Sequence, residues 1–369
     1  MPTRVIMLVD LDYFFAQCEE KRNSSIKDKP VVVCVYSGRT EESGVVSTAN
    51  YIARSYGVKS GMPIYQAKKK LENVEAIFLP VDHDYYEEVS GEVMRVVRQF
   101  ADLFEQVGID EAFLDVTVRT NGRFQAAREL AERIRNELRA QLGLTCSIGV
   151  GPNKLVAKVA ADQNKPDGLT VIEDEKVEHF FSPLNVERLV GVGTKTREKM
   201  HSMGIMTVGD LARCDAQKLM ETFGKTLGIY FHNAAQGVDN EPVKERTEIE
   251  SLSRIVTLKQ DSRDTDFMME KTEQLCTELH AAIVDQKVSF KTIGIIVILN
   301  DMSIHSKSRT LENPTNSLQT MKENVRDLFK QFFDETGLEA RRVGVKISNL
   351  SHERESQKPL TSFIQRNTD

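Results

Sequence analysis

The chain has 369 residues, 40% of them hydrophobic and 28% charged, with a formal net charge of -6. That length exceeds one ordinary domain of roughly 150 residues and predicts two to four, in a globular protein able to build real cores. The acid excess weighs mildly against a nucleic-acid binder without excluding one, because local basic faces decide phosphate contact.

No apolar segment approaches the roughly 18 residues that a bilayer span requires. The stretch before Asp10 lacks a signal peptide's apolar run, so the chain is expected to stay in the compartment where it is made. Cys18, Cys34, Cys146, Cys214 and Cys276 are odd in number and never spaced C-x-x-C. They argue against a disulfide framework or a zinc site and for a reducing, cytosolic setting.

The opening MPTRVIMLVDLDYFFAQCEE drives an apolar run, Val5 to Val9, into Asp10 and Asp12, then into Tyr13, Phe14 and Phe15. Taken alone, a buried strand ending in polar residues is commonplace. PVVVCVYS (Pro30 to Ser37) predicts a second buried strand, GVVSTANYIARSYGV (Gly44 to Val58) a turn running into a helix, and TCSIGVG (Thr145 to Gly151) another strand. Apolar residues at three-to-four spacing predict helices from His83 to Leu103 and from Phe124 to Leu142, packing on a sheet. From about Thr170 to Gln236 the pattern is mostly helical, with two short helices joined by Gly-Val-Gly, and VDNEPVKERTEIES (Val238 to Ser251) reads as a charged linker. Beyond it the order β-α-β-β-α-β up to Leu350 predicts a four-stranded sheet backed by two helices. The tail after Ser351 is polar and reads as disordered apart from one apolar cluster.

A second pair of acids interrupts QVGIDEAFLDV at Asp110 and Glu111. Acids inside a strand pattern are costly without a cation or a buried partner. Either they form the polar tip of a hairpin, or that hairpin lies beside the strand ending at Asp10 and three carboxylates meet at one sheet end. Hard oxygen ligands of that kind suit Mg²⁺. Two such ions about 4 Å apart would activate an attacking hydroxyl and neutralise a leaving pyrophosphate, which is nucleotidyl transfer. TANYIARSYG spaces Thr48, Tyr51 and Arg54 at three-residue steps, one face of a helix that is either merely solvated or a set of phosphate ligands. Lys165, at a strand or helix end, is a second candidate cation.

VDLDYFFAQCEE, KPVVVCVYSGR, SGVVSTANYIARSYGVKSGMP, GIDEAFLDV and GVGPNKLVAKVAADQNKPDG together resemble, in order and spacing, the Y-family DNA polymerases, the translesion enzymes, in the archaeal form of their DinB or polymerase IV branch. The resemblance covers essentially the whole chain. It implies an α+β multidomain right hand, with a palm (1–13 and 80–168), fingers (14–79), a helical thumb carrying a helix-hairpin-helix (169–237), a linker (238–250), a β-α-β-β-α-β little finger (251–350) and a tail (351–369). The implied activity is template-directed transfer of dNMP to a primer 3′-OH with two Mg²⁺ ions, at low fidelity and past damaged bases. Implied partners are primer-template DNA, an incoming dNTP and a sliding clamp, for a cytoplasmic, nucleoid-associated monomer.

By the same resemblance Asp10, Asp110 and Glu111 are the catalytic, metal-binding carboxylates, and Leu11 offers a main-chain carbonyl. Phe15 is the steric gate that leaves no room for a 2′-hydroxyl, and Phe14 forms the backbone turn around the nucleotide. Thr48, Tyr51, Arg54 and Lys165 contact the triphosphate, while Val35, Val45 and Ser47 form a small-residue roof over the nascent base pair. Asp12 is no ligand and reads as structural, capping the next helix. The family's Ser-Ile-Asp-Glu signature is here Gly108-Ile109-Asp110-Glu111, a departure that bears on local rigidity rather than on the acids. Gly191 and Gly193 turn backbone amides toward a DNA phosphate. Arg254, Lys307, Arg309 and Lys346 are the candidates for one basic face of the little finger, gripping DNA in a salt-sensitive way. QKPLTSFI sets Gln357, Leu360, Phe363 and Ile364 in the pattern of a clamp-binding box, with Ile364 where an aromatic is usual. Two rivals stay open: a nucleotidyl cyclase, which needs neither the hairpin motif nor the C-terminal module, and a catalytically silent DNA-binding scaffold that recruits the clamp.

Overall fold

The computed structural model describes residues 3–245 and 249–352. Two compact units make up the chain, Met1–Tyr36 with Gly44–Arg246, and Ser37–Ser43 with Thr247–Asp369. The first unit runs β1 (Ile6–Leu11), α1 (Phe14–Arg22), β2 (Val31–Tyr36), β3 (Gly44–Ala49), α2 (Tyr51–Ser55), α3 (Ile64–Lys70), β4 (Ile77–Pro80), α4 (His83–Arg98), β5 (Leu103–Gln106), β6 (Glu111–Asp115), α5 (Phe124–Leu142), β7 (Cys146–Gly151), α6 (Lys154–Ala161) and β8 (Leu169–Val171). Helices α7 (Val177–Phe181), α8 (Thr194–Ser202), α9 (Val208–Ala212), α10 (Ala216–Phe223) and α11 (Lys225–Ala235) follow.

A five-stranded sheet in the order β5-β6-β1-β7-β8 forms its centre, and a three-stranded sheet, β3-β2-β4, stands apart from it. The uninterrupted apolar run of β1 has a plain cause: the strand is central and covered on both faces. Val5, Met7, Val9 and Leu11 pack into the core built by α1, α4 and α5. Ile6 and Leu8 pack on the opposite side against Ala157 and Ala161 of α6 and against Val243. Ala127, Ala131, Ile134 and Leu138, at helical spacing, are the buried stripe of α5.

The second unit runs β9 (Ser251–Ser262), α12 (Thr265–Asp285), β10 (Val288–Leu299), β11 (Ile304–Thr315), α13 (Leu318–Glu335) and β12 (Ala340–His352). Its sheet order is β11-β10-β12-β9, and both helices share one core with one face of that sheet. The β-α-β-β-α-β expectation and the α+β multidomain class therefore hold.

Four local expectations need correction. Gly44–Ala49 is a strand rather than a turn, because Val46 and Ala49 bury against β2. The helix from His83 stops at Arg98, and Leu103 already belongs to β5. Gly191-Val192-Gly193 does not join two helices: a 3-10 turn (Val186–Arg188) precedes it, and the segment between α8 and α9 is Met203 to Thr207. The linker's first part is packed, with Val243 at 2% exposure, the Lys244 N–H donating to Glu105 Oε2 at 3.1 Å and Asp239 Oδ2 accepting from the Leu155 N–H at 3.2 Å.

Helix α6 lies unusually close to the sheet. A Cβ on Gly149 of β7 would stand 2.0 Å from the Ala157 carbonyl oxygen and 2.3 Å from the Ala161 nitrogen, so only glycine permits this approach. Gly149→Ala is therefore expected to cost about 2 to 3 kcal/mol of stability in chemical denaturation. An unchanged midpoint would mean that α6 can retreat freely from the sheet.

Candidate active site

Strand pairing decides whether the acids meet. β1 runs antiparallel to β6 with Asp10 opposite Glu111, and the Leu11 N–H donates to the Asp110 carbonyl at 2.9 Å. Asp10, Asp110 and Glu111 thus share one end of the sheet. The turn between β5 and β6 is held by its backbone: the Glu111 carbonyl accepts from Val107 N at 3.1 Å and Gly108 N at 3.2 Å, and Ser90 Oγ donates to the Ile109 carbonyl. Rigidity thus does not depend on a serine at 108, where an added Cβ would already stand 3.3 Å from Asp110 Oδ1.

Gathering like charge has a measurable effect. Burial, and then the neighbouring Asp10 and Glu111, hold the Asp110 carboxyl above the ordinary carboxylate range. Two ammoniums offset the charge. Lys158 of α6 pairs with Glu111 and stands 3.4 Å from Asp10 Oδ2; Lys165 reaches Asp10 Oδ1 at 2.8 Å and Asp162 Oδ1 at 3.0 Å. Burial alone would lower the pKa of both lysines, but these carboxylates outweigh it and both stand above the usual lysine value. Among the described residues no three His, Cys, Asp or Glu side chains are arranged as a metal cage. The donor chemistry still fits a hard divalent cation, since three carboxylate groups face one cavity beside the Leu11 backbone.

That cavity holds about 350 Å³. Its floor is Asp10, Leu11, Asp110 and Glu111, its far wall Thr48, Tyr51 and Arg54, with Lys165, Phe14 and Phe15 between. The expected single helical face is not what joins the wall residues: Thr48 lies on β3, while Tyr51 and Arg54 lie on α2. A β-bulge near Val33 and Cys34 leaves Ser47 as the extra residue between Val46 and Thr48, so Ser47 and Thr48 both line the cavity. Val35 and Val45 pair across β2 and β3 and are exposed, but unlike Ser47 they do not line this cavity. Ser60, which sequence reasoning passed over, also lines the cavity.

Side chains behind the wall fix it in place. Asn50 caps α2 by accepting from Ala53 N at 3.0 Å, accepts from Val31 N at 3.1 Å, and donates to Glu20 Oε1 at 2.9 Å. Arg54 donates through Nε to the Ala49 carbonyl at 2.8 Å and lies over the Tyr51 ring, which meets Tyr13 edge-on at 5.4 Å. Phe15 stacks on the buried Tyr86, with centroids 4.3 Å apart at 17°, and Tyr86 donates its hydroxyl to Glu19 Oε1 at 2.7 Å. Asn50 was legible as a polar residue just before a helix; Tyr86 and Glu19 had no local signal.

Asp12 is buried, but it does not cap the following helix as expected: the N-cap of α1 is Tyr13, which stands at φ 37° with no side-chain cap. Its Oδ1 accepts from Ser147 Oγ at 2.7 Å and its Oδ2 from Asp167 N at 2.8 Å. A neighbouring cavity of about 330 Å³ shares Glu111 and Lys158 and adds Glu105, Lys154, Tyr230 and Glu241. Lys154 and Lys158 are one helical turn apart on α6, a spacing that was readable but not used.

Gly191 at φ +85° leads into Gly193, the N-cap of α8, and Tyr230 braces this turn by donating to the Val190 carbonyl at 2.8 Å. In the second unit the four chosen bases do not share a face. Directly paired residues lie on the same side of a sheet. Arg309 pairs with Ile293, Lys307 with Ile295 and Arg254 with Val345, all on the helix-covered side, where their partners are Asp327, Glu335 and Glu278. Lys346 pairs with Gly294 and Ser253 on the open side, together with Arg342, Thr257, Ser308, Thr292 and Thr310. Gln357, Leu360, Phe363 and Ile364 lie outside the described residues.

Comparison with known proteins agrees with this geometry. The impB/mucB/samB family model matches residues 9–162, its C-terminal domain model residues 249–360, and a model described as the DNA polymerase-iota thumb domain residues 187–239. A DNA polymerase IV of Nitrosopumilus maritimus is 46% identical over 99% of this chain and 100% of its own length. One from Methanosarcina acetivorans is 44% identical over 95% of this chain and 97% of its own. Among solved structures, a Y-family DNA polymerase chimera of Dbh and Dpo4 is 34% identical with a TM-score of 0.89, covering 95% of this chain and 100% of its own. An insertion ternary complex of Dbh DNA polymerase, also 34% identical, has a TM-score of 0.70 over the same shares. With family models, sequence identity and structural similarity in agreement over nearly the whole chain, the chain belongs to the Y-family DNA polymerases, in the polymerase IV branch found in archaea.

Proposed function

We propose that the end of the five-stranded sheet is the active site of a template-directed DNA polymerase of the translesion type, which adds dNMP to a primer 3′-OH and releases pyrophosphate. One observation carries this reading: three carboxylates, two lysines and a hydroxyl-and-guanidinium wall converge on one cavity that Phe14 and Phe15 also line. Nucleotidyl transfer in this family generally needs a divalent metal. We assign two Mg²⁺ ions to Asp10, Asp110, Glu111 and the Leu11 carbonyl. When bound they supply charge neutralisation at the attacking hydroxyl and the leaving pyrophosphate.

The chain's own residues do the rest. Lys165 and Arg54 bind triphosphate oxygens by charge-assisted hydrogen bonds, and Thr48 and Tyr51 donate hydroxyls. Phe14 shapes the backbone turn there, and Phe15, held flat by Tyr86, occupies the space a 2′-hydroxyl needs. Val35, Val45 and Ser47 close over the base pair with little bulk, which tolerates damaged templates at the expense of fidelity. We assign the palm to 1–13 and 80–168, the fingers to 14–79, the thumb to 169–237 and the little finger to 251–350.

Gly191 and Gly193 bind a template or primer phosphate through backbone amides. In the second unit the open face, where Lys346 and Arg342 stand among hydroxyl and isoleucine side chains, is the DNA face. This replaces the set Arg254, Lys307 and Arg309, whose charges are spent on helix acids. Gln357, Leu360, Phe363 and Ile364 bind a sliding clamp. No helix among the described residues is long and apolar enough to cross a membrane. The working form is a cytoplasmic, nucleoid-associated monomer. A clamp-recruiting scaffold without catalysis is disfavoured, because it has no use for the convergent acids.

Primer extension with Mg²⁺ tests the site. Asp110→Asn should abolish extension and also raise folding stability by about 1 kcal/mol, because it removes a carboxylate whose charged form the fold disfavours. Full activity would remove Asp110 from the metal site. Phe15→Ala should admit ribonucleotides that wild type rejects; unchanged sugar selection would remove Phe15 as the gate. For the second unit, Lys346→Ala and Arg342→Ala should each lower the salt dependence of primed-DNA affinity by about one counterion. Lys307→Ala and Arg309→Ala should leave it unchanged, and the reverse pattern would restore the helix-side set.

A further inference from the structure

Asp12 is a fully enclosed carboxylate, 1% exposed, that the chemistry above does not use. It stands on the segment that follows Asp10, yet its side chain turns away from the cavity and binds the loop that carries Lys165. That loop, residues 164–168, is fixed from three sides. Asp12 Oδ2 accepts from the Asp167 N–H at 2.8 Å. Ser147 Oγ, which donates to Asp12 Oδ1 at 2.7 Å, accepts from the Gly168 N–H at 3.3 Å. The Asp167 carboxylate is clasped by Arg135, at 2.8 Å, and by Arg139, both on α5.

The loop has no slack at its end either, since a Cβ on Gly168 would stand 2.0 Å from the Asn164 carbonyl oxygen. Asp167 itself has φ +53°, a left-handed conformation that aspartate tolerates better than most residues and that this network holds. Between these anchors lies Lys165, its ammonium 2.8 Å from Asp10.

We propose that Asp12 and Asp167 are positioning residues for Lys165, forming a relay from the arginines of α5 that sets where the triphosphate-binding ammonium stands relative to Asp10. The proposal rests on Lys165 being a triphosphate contact. A long lysine side chain loses much of its benefit to conformational entropy unless its backbone is fixed. Such a relay fixes the backbone without touching the nucleotide.

The test is single-nucleotide incorporation on a primed template by Lys165→Met, Asp12→Asn, Asp167→Asn and the two double variants with Lys165→Met. Circular dichroism checks folding, and fluorescence anisotropy gives the affinity for primed DNA. Asp12→Asn and Asp167→Asn should each raise the KM for dNTP about tenfold, with the maximal rate within about threefold of wild type and DNA affinity unchanged. Each double variant should be no worse than Lys165→Met alone, because the relay acts only through that lysine. Multiplying defects in the doubles, or an unchanged KM in the aspartate variants beside a raised one in Lys165→Met, would overturn the relay and leave the triphosphate role standing. An unchanged KM in Lys165→Met would overturn that role and the relay with it. Should Asp12→Asn not fold, Asp167→Asn, at the protein's surface, decides the matter by the same readouts.

Discussion

Like charge gathered at one sheet end is the constraint around which the first unit is organised. Carboxylates repel and lose hydration when brought together, and the raised pKa of Asp110 registers both effects. A flexible surface would let them separate. Here Asp10 ends a strand buried on both faces, and Glu111 is its register partner on the next strand, so backbone hydrogen bonds hold them together. The repulsion is met by cations rather than by distance.

Supplying those cations dictates much of the remaining architecture. Lys158 arrives on α6, which can reach the acids only because Gly149 and the small residues Ala157 and Ala161 let the helix lie almost against the sheet. Lys165 arrives on a loop fixed by buried hydrogen bonds, and Arg54 on a helix fixed by Asn50. In the last two cases a polar side chain outside the cavity holds a cation that lines it. An unpaired polar atom at that depth costs about 1 to 3 kcal/mol, and Arg135 Nε, behind Asp167, is buried without a hydrogen-bond partner.

The second unit separates two uses of basic residues that composition alone runs together. Arg254, Lys307 and Arg309 close the edges of the helix layer against acids, whereas Lys346 and Arg342 stand on the opposite sheet face, among hydroxyl side chains and Ile255, Ile296, Ile298 and Ile304. Both cations are exposed there, on the side away from the two helices. Strand register carries this distinction, since a shift of one residue would exchange the two sets.

The division between what was legible in the sequence and what was not follows from the range of the forces involved. Local periodicity was enough for the β-α-β-β-α-β order, for helices α5 and α12, and for β1 as a buried strand, because burial pattern and capping act within a few turns of chain. The acid pairs and the aromatic step after Asp10 were legible as well, since a charge inside an apolar strand is anomalous wherever the strand lies. Other features depended on contacts between residues far apart in sequence: the placement of Thr48 on a strand, the role of Asp12 as an anchor of the Lys165 loop, the Tyr86 support behind Phe15, and the face on which each little-finger base stands. A hydrogen bond between Asp12 and Asp167, 155 residues apart, leaves no periodic trace in either segment. By itself the sequence determined which chemistry could be assembled; only the tertiary structure decided which side chains perform it and which hold the others in place, because that choice is made by strand register and close packing across the fold.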